Sequence, residues 1–327
     1  MTVTFTQMLN RAIATDVPLV IDGALGTALE ARGVELSHEL WSAGLLRDDP
    51  DTIAEVHRDY IRAGARIITT GSYQATPLGF AALGMSPDEG RALIVRSVEV
   101  AAEARARSES EAHSDAEAGS STENAATNVL IAGSVGPYGA ALGDGAEYTG
   151  AYSLTPTEFA DFHRPRIEAL MAAGVDLLAI ETQPNLAEIE VLCTLAGERG
   201  IPAWLSVTLA DGEHLADGTP LGTLAEAVSG HDSIHAVGVN CVSPSLVTPA
   251  LHALASATDL PLIAYPNSGE VYDAEAMEWS GGSAGHLGDG TVTFPLEDWA
   301  QLGALLIGGC CRTGPGDIAG IARRFTW

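Results

Sequence analysis

Three of the four cysteines stand where apolar runs end. Cys241 lies at the end of AVGVNCV (236–242), while Cys310 and Cys311 close ALLIGGCC (304–311). Three thiolates can fill three corners of a tetrahedral zinc and leave the fourth open for water or substrate, which is the catalytic rather than the structural arrangement. Sulfur ligands also favour zinc over magnesium or calcium. Adjacent cysteines reach one metal only where the backbone bends sharply, and the preceding Gly308-Gly309 would permit that bend. The bland alternatives for the pair are two core residues or a vicinal disulfide. Cys193, inside an amphipathic stretch, is expected to be a small buried filler.

Zinc that already carries three thiolates is a poor Lewis acid for hydrolysis. It suits a different task, holding a substrate thiol as thiolate, because a free thiol with a pKa of about 8.5 is only a few per cent ionised at neutral pH. Two carboxylates fit an amino-acid substrate: Asp22 and Glu181 could take an α-ammonium, and N–H groups of the Gly23–Thr27 turn its carboxylate. Each also has a structural alternative, Asp22 bonding its own Asp-Gly turn and Glu181 joining an ion pair. Thr70 to Tyr73, Gly136, Asn240 and Asn267 stand at comparable places. Such a density of polar groups is costly in a core unless a ligand or metal offsets it.

All of these residues sit near the ends of eight short apolar runs. They are LVIDGAL (19–25), ARIITTGSY (65–73), VLIAGSVGP (129–137), DLLAIETQP (176–184), PAWLSVTL (202–209), AVGVNCV, PLIAYPNS (261–268) and ALLIGGCC. Continuous apolar character predicts parallel strands covered on both faces. Amphipathic stretches at 51–63, 87–107, 155–173 and 185–199 alternate with them, and Thr155 with Glu158 forms a capping-box pattern. Eight strand–helix repeats predict an α/β fold, a single (β/α)8 TIM barrel over residues 1–327, whose strand ends form the ligand-binding mouth. The rival, an open doubly wound sheet, lacks a GxGxxG after the first run. Long stretches at 26–46, 138–154 and 269–293 fall on the mouth side and bring Trp41, Tyr148, Tyr152, Tyr272 and Trp279. Residues 106–127, rich in Ser, Ala, Glu and Asn, are expected to be a flexible acidic insertion on the opposite face.

Composition excludes whole classes of partner. The 327 residues carry 43 acids against 16 bases, all of them arginine, for a formal charge of −27. Such a field opposes phosphate backbones and anionic lipid, so neither nucleic acid nor membrane is an expected partner. No run approaches 18 apolar residues, and MTVTFTQMLNRA has no signal-peptide character, so a cytoplasmic protein is expected. Four cysteines are too few for a disulfide framework. Oligomeric state is not legible.

The chain also resembles the homocysteine S-methyltransferase family through most of its length. The likeness lies in DGALGTALEARG (22–33), HELWSAGLL (38–46), TTGSYQATPLGF (69–80), GSVGPYGAALGDGAEYTG (133–150), HRPRIEAL (163–170), LLAIETQP (177–184), VGVNC (237–241), YPNSGEVYD (265–273) and IGGCCRT (307–313). The resemblance implies the same barrel, with Cys241, Cys310 and Cys311 as ligands of one Zn2+ that activates the thiol of L-homocysteine for methylation to methionine. It implies that Asp22 and Glu181 hold the homocysteine amino group, and that Tyr73 or Asn267 is a displaceable fourth ligand. Asn240 would orient Cys241 or the substrate. The wording is closest to the branch that uses a sulfonium donor, S-methylmethionine or S-adenosylmethionine. The chain ends at Trp327, just after the eighth helix, so no cobalamin or folate module is expected. The departures from the family pattern are the 106–127 insertion and the missing lysine. Three rivals remain: methyl transfer to selenocysteine or another thiol, a zinc-holding thiol sensor without turnover, and a Cys310–Cys311 redox switch.

Overall fold

The computed structural model describes residues 3–36, 41–117, 128–269, 271–273, 278–280 and 292–325. Each of the eight apolar runs contains one barrel strand: β1 (Leu19–Val20), β2 (Ile67–Thr69), β3 (Leu130–Val135), β4 (Leu177–Gln183), β5 (Ala203–Val207), β6 (Ile234–Asn240), β7 (Leu262–Tyr265) and, after a short hairpin of β8 (Val271–Asp273) and β9 (Glu278–Ser280), β10 (Ala304–Ile307). All neighbours in the order β1-β10-β7-β6-β5-β4-β3-β2 pair in parallel. A parallel bridge between Ile21 and Ile67 joins the two ends, so the sheet closes on itself. Every residue of β3, β4 and β5 is buried, which is why these strands read as unbroken apolar runs.

The outer ring is helical: α1 (Phe5–Thr15), α2 (Leu25–Glu30), α3 (Trp41–Asp48), α4 (Pro50–Arg62), α5 (Pro77–Ala82), α6 (Pro87–Glu117), α7 (Pro156–Ala173), α8 (Leu186–Arg199), α9 (Leu221–Val228), α10 (Pro244–Ala255), α11 (Leu296–Gln301) and α12 (Pro315–Arg324). The expected capping box starts α7: the Thr155 hydroxyl accepts from Glu158 N–H at 3.3 Å, and Glu158 Oε2 accepts from Thr155 N–H at 2.8 Å. Gly174 then stops the helix in the left-handed region at φ 90°.

Two apolar layers result. One lies between strands and helices. The other fills the barrel interior, where Leu19, Ile21, Ile67, Leu130, Leu177 and Leu306 meet Phe5, Met8, Leu9 and Ala12 of α1. Thus α1 plugs the floor of the barrel, and polar side chains are left to the other end.

The segment 106–127 differs from expectation over its first half. Residues 106–117 continue α6, with Ser108 buried and Glu111 paired to Arg58 and Arg62 of α4. Ala, Glu and Arg are good helix formers, so ion pairs to a neighbouring helix suffice where an apolar stripe is missing. Residues 118–127 lie outside the described residues. No helix among the described residues is long and apolar enough to cross a membrane.

Candidate active site and metal centre

Parallel strands all aim their C-terminal ends at one mouth, so residues far apart in the chain converge there. Cys241 follows the last residue of β6, and Cys310 and Cys311 follow β10 by three and four positions. Their three Sγ atoms lie within 4.8 Å of one another, and Cys241 and Cys311 are 3.6 Å apart. All four cysteines are free thiols, and Cys193 is buried in α8, its thiol pushed up to about 12 by burial.

The backbone that presents the thiols is tightly tied. Cys241 adopts φ 54°, rare for a side-chain-bearing residue, and its N–H donates to Tyr265 O at 3.3 Å. Cys310 N–H donates to Pro266 O at 2.7 Å, and Cys311 O accepts from Ser268 N–H at 3.0 Å. Neither Gly308 nor Gly309 takes the left-handed region, which in this segment is adopted by Arg312 at φ 64°. The two glycines answer to crowding instead. A Cβ on Gly308 would meet Asp22 O at 2.8 Å, and one on Gly309 would meet Thr313 Oγ1 at 2.2 Å.

The thiols share their protons. Hydrogen bonds from Cys310 and Cys311 hold Cys241 well below the usual thiol range, and those two thiols are pushed up in turn. Three sulfurs this close ionise together only beside a cation. The donor set and spacing therefore fit zinc. Asn267 stands on the loop between the two cysteine segments, its N–H on Val242 O at 3.0 Å. Its Oδ1 is buried without a hydrogen-bond partner among the described residues, as an unused ligand atom would be.

Two buried acids lie beside the thiols. Asp22 follows the β1–β2 bridge, and its carboxyl accepts from Thr69 N–H at 2.7 Å and from Thr69 Oγ1 at 3.1 Å. Burial pushes it up to about 8, against the opposing effect of the Thr69 bonds. Glu181, in β4, is pushed up to about 7, again by burial first. It accepts from Ser134 Oγ and, at 3.1 Å, from Tyr265 Oη, which itself accepts from Trp204 Nε1 at 3.0 Å. Neither acid has a cationic partner within salt-bridge distance among the described residues, so the ion pair weighed for Glu181 is not formed, and Asp22 bonds across to β2 rather than within its own turn.

Asn240, expected to orient Cys241 or the substrate, directs its side chain to Thr182. It clamps the residue after Glu181: Oδ1 accepts from Thr182 N–H at 2.7 Å and Nδ2 donates to Thr182 Oγ1 at 2.8 Å. Thr182 is a β-branched residue at φ 58°, a strained conformation that these two bonds hold. The Tyr73 phenol lies in electrostatic reach of Cys241 and Glu181, its ionisation pushed well up by burial. The N–H of Ala24, in the turn proposed for a substrate carboxylate, is donated to Thr313 O at 3.1 Å. Of the expected mouth aromatics, Tyr148 places Oη 3.4 Å from Cys241 Sγ. Tyr152 Oη instead donates to Glu188 Oε2 at 2.5 Å. The side chains of Trp41, Tyr272 and Trp279 lie outside those described.

Sequence reasoning missed a buried network behind the mouth. Arg166 Nη1 donates to Tyr73 O at 3.0 Å and Nη2 to Gly136 O at 2.6 Å, while His163 Nε2 meets Glu188 Oε1 at 2.7 Å. A fully buried arginine is rare without such partners. The one available signal was the His163–Arg166 spacing of three on a helix.

This geometry agrees with comparison to known proteins. The homocysteine S-methyltransferase profile matches residues 19–325. The chain belongs to the homocysteine S-methyltransferase family. A homocysteine S-methyltransferase of Escherichia coli is 48% identical over 310 residues, 94% of each chain. A selenocysteine methyltransferase of Astragalus bisulcatus is 42% identical, over 92% of this chain and 90% of its own. Among solved structures, the metallated form of the E. coli homocysteine methyltransferase MmuM superposes with a TM-score of 0.82 at 45% identity, covering 97% of this chain and 99% of that one. The homocysteine S-methyltransferase family thus accounts for the barrel and for nearly the whole chain.

Proposed function

We propose that this chain transfers a methyl group from a sulfonium donor, S-methylmethionine or S-adenosylmethionine, to the thiolate of L-homocysteine, forming methionine. The observation that carries the reading is the convergence of three free thiols on one point, beside two buried acids that form no salt bridge among the described residues.

Cys241, Cys310 and Cys311 would hold zinc, which when bound supplies the positive charge that keeps an acceptor thiol ionised at neutral pH. Asp22 and Glu181 bind the α-ammonium of homocysteine. Each then exchanges a proton on a buried carboxyl for an ion pair, so binding releases protons. Asn240 fixes Thr182 and with it the backbone beside Glu181. Asn267 Oδ1 or the Tyr73 phenol would serve as a fourth ligand that the substrate displaces.

The chemical step is a single in-line displacement. The acceptor sulfur's lone pair forms the new S–CH3 bond as the donor's S–CH3 bond breaks, and that bonding pair returns to the donor sulfur. The donor departs as a neutral thioether, so no acid is required, and alignment supplies much of the rate. No cobalamin or folate step enters. The substrates are small molecules, and the strongly acidic chain has no use for nucleic acid or membrane as a partner.

A second reading rests on the Astragalus relative named a selenocysteine methyltransferase: the acceptor is a selenol at the same site. The test is product formation with homocysteine and selenocysteine in competition, with S-methylmethionine, S-adenosylmethionine and betaine offered separately. Methionine from a sulfonium supports the reading. Preference for selenocysteine supports the second, and methylation by betaine alone overturns the donor assignment.

A further inference from the structure

The mouth contains a third acid, Glu147, half-buried and separate from the pair at Asp22 and Glu181. Glu147 belongs to a short helical turn, Ala146–Tyr148, in the loop after β3. Its Oε2 is buried and has no hydrogen-bond partner among the described residues. Asp22 and Glu181 each have protein donors, so Glu147 holds an unanswered acceptor among the acids at this mouth. It lies in electrostatic reach of Cys241 and of the Tyr73 phenol, and it directly precedes Tyr148, whose Oη lies 3.4 Å from Cys241 Sγ.

The next residue adds an aromatic face. Tyr148 buries its hydroxyl against Cys241 Sγ at 3.4 Å, yet 43% of the residue remains exposed. The loop is held in advance of any ligand. Gly145 takes φ 79°, Gly150 N–H donates to Ala146 O at 2.9 Å, and Asn185 Nδ2 donates to Tyr152 O at 3.2 Å. Gly139 has no room for a side chain, because a Cβ there would meet Glu147 N at 2.6 Å.

We propose that Glu147 Oε2 and the ring of Tyr148 form the subsite for the positive charge of the methyl donor, next to the thiols. This rests on the methyl-transfer reading above and assigns its second substrate. An unpaired carboxylate in a buried place is costly, and a cation brought by the ligand removes that cost. A sulfonium or quaternary ammonium offers no N–H to donate, so it is recognised by charge and by an aromatic face rather than by hydrogen bonds. The carboxylate and ring together supply both. Placed there, the donor carbon sits on the thiol side, where displacement in line is possible. As the methyl moves, the donor loses its charge, and the neutral product has no further hold on Glu147.

The test is Glu147→Gln, which keeps shape and removes charge, with Glu226→Gln, an exposed acid on α9, as the control for general electrostatics. The expected result is a rise of about tenfold or more in the KM for S-methylmethionine, equivalent to at least ~1.4 kcal/mol, with the homocysteine KM and zinc content unchanged. Tyr148→Phe should keep donor affinity and Tyr148→Ala should lose it. Calorimetric titration of S-methylmethionine into wild type and Glu147→Gln judges the subsite without turnover. A wild type that binds the sulfonium, loses that binding in Glu147→Gln, yet forms no methionine breaks the activity reading and leaves this subsite standing. Unchanged donor binding in Glu147→Gln, or a selective rise in the homocysteine KM, overturns the proposal.

Discussion

Replacing Asp22 with Asn should make the protein more stable and less able to bind its acceptor, and the gain should depend on pH. The wild-type carboxyl is pushed up from 3.8 to about 8 by burial. A carboxyl whose pKa is higher in the folded chain than in the unfolded one stabilises the fold while it keeps its proton. That stability is complete below the unfolded pKa and is lost as pH rises through the folded value. Between about pH 4 and 8 the folded chain binds the extra proton, so stability falls by roughly 1.4 kcal/mol per pH unit. Asn carries no such dependence and can still accept from the Thr69 N–H that lies 2.7 Å from the carboxyl. The advantage of Asp22→Asn over wild type should therefore grow by about 3 kcal/mol between pH 5 and pH 7. For a chain of this size that is roughly 5 °C in Tm. Thermal unfolding of both proteins at pH 5, 6, 7 and 8, without substrate, gives the comparison, and homocysteine titration gives the binding loss. Parallel pH profiles for the two proteins would show that Asp22 ionises freely, and the burial argument would fail.

Two further substitutions probe the acid beside it. Asn240→Ala leaves Thr182 N–H and Oγ1 without their partners and frees a strained backbone, which should cost about 2–3 kcal/mol in chemical denaturation. It should also lower kcat/KM for homocysteine by roughly 10²-fold, the scale of a small misplacement of Glu181. Tyr265→Phe removes a hydroxyl that favours the ionised form of Glu181, so that carboxyl should rise above about 7. The pH at which homocysteine KM reaches its lower plateau should then move upward, in a profile taken from pH 6 to 9.

The barrel was legible because strands buried on both faces leave unbroken apolar runs, and all eight runs hold a strand. The thiols were legible because Cys241 and the Cys310-Cys311 pair stand where such runs end. Pattern could not show how those ends are tied. The Asn240–Thr182 clamp joins residues 58 positions apart, and Arg166 reaches Tyr73 across 93, distances over which no periodicity carries information. Gly308-Gly309 was read as permitting a bend because glycine is permissive, while the crowding against Asp22 and Thr313 that also calls for glycine is a property of the folded chain. Glu147 escaped notice because its Oε2 is distinguished only by lacking a partner, a property of the folded chain. Residues 106–127 read as a flexible acidic insertion because they have no apolar face, but the ion pairs of Glu111 to α4 within the helical part, 106–117, do not need one.

The central claim, that Cys241, Cys310 and Cys311 hold the zinc on which methyl transfer depends, is tested most directly by metal content. Protein purified under reducing conditions should contain one zinc per chain, and Cys241→Ser and Cys311→Ser should contain none. Both variants should keep the circular dichroism of the barrel and lose methionine formation. A zinc-free wild type that still methylates homocysteine, or a serine variant that keeps both zinc and turnover, would contradict the account.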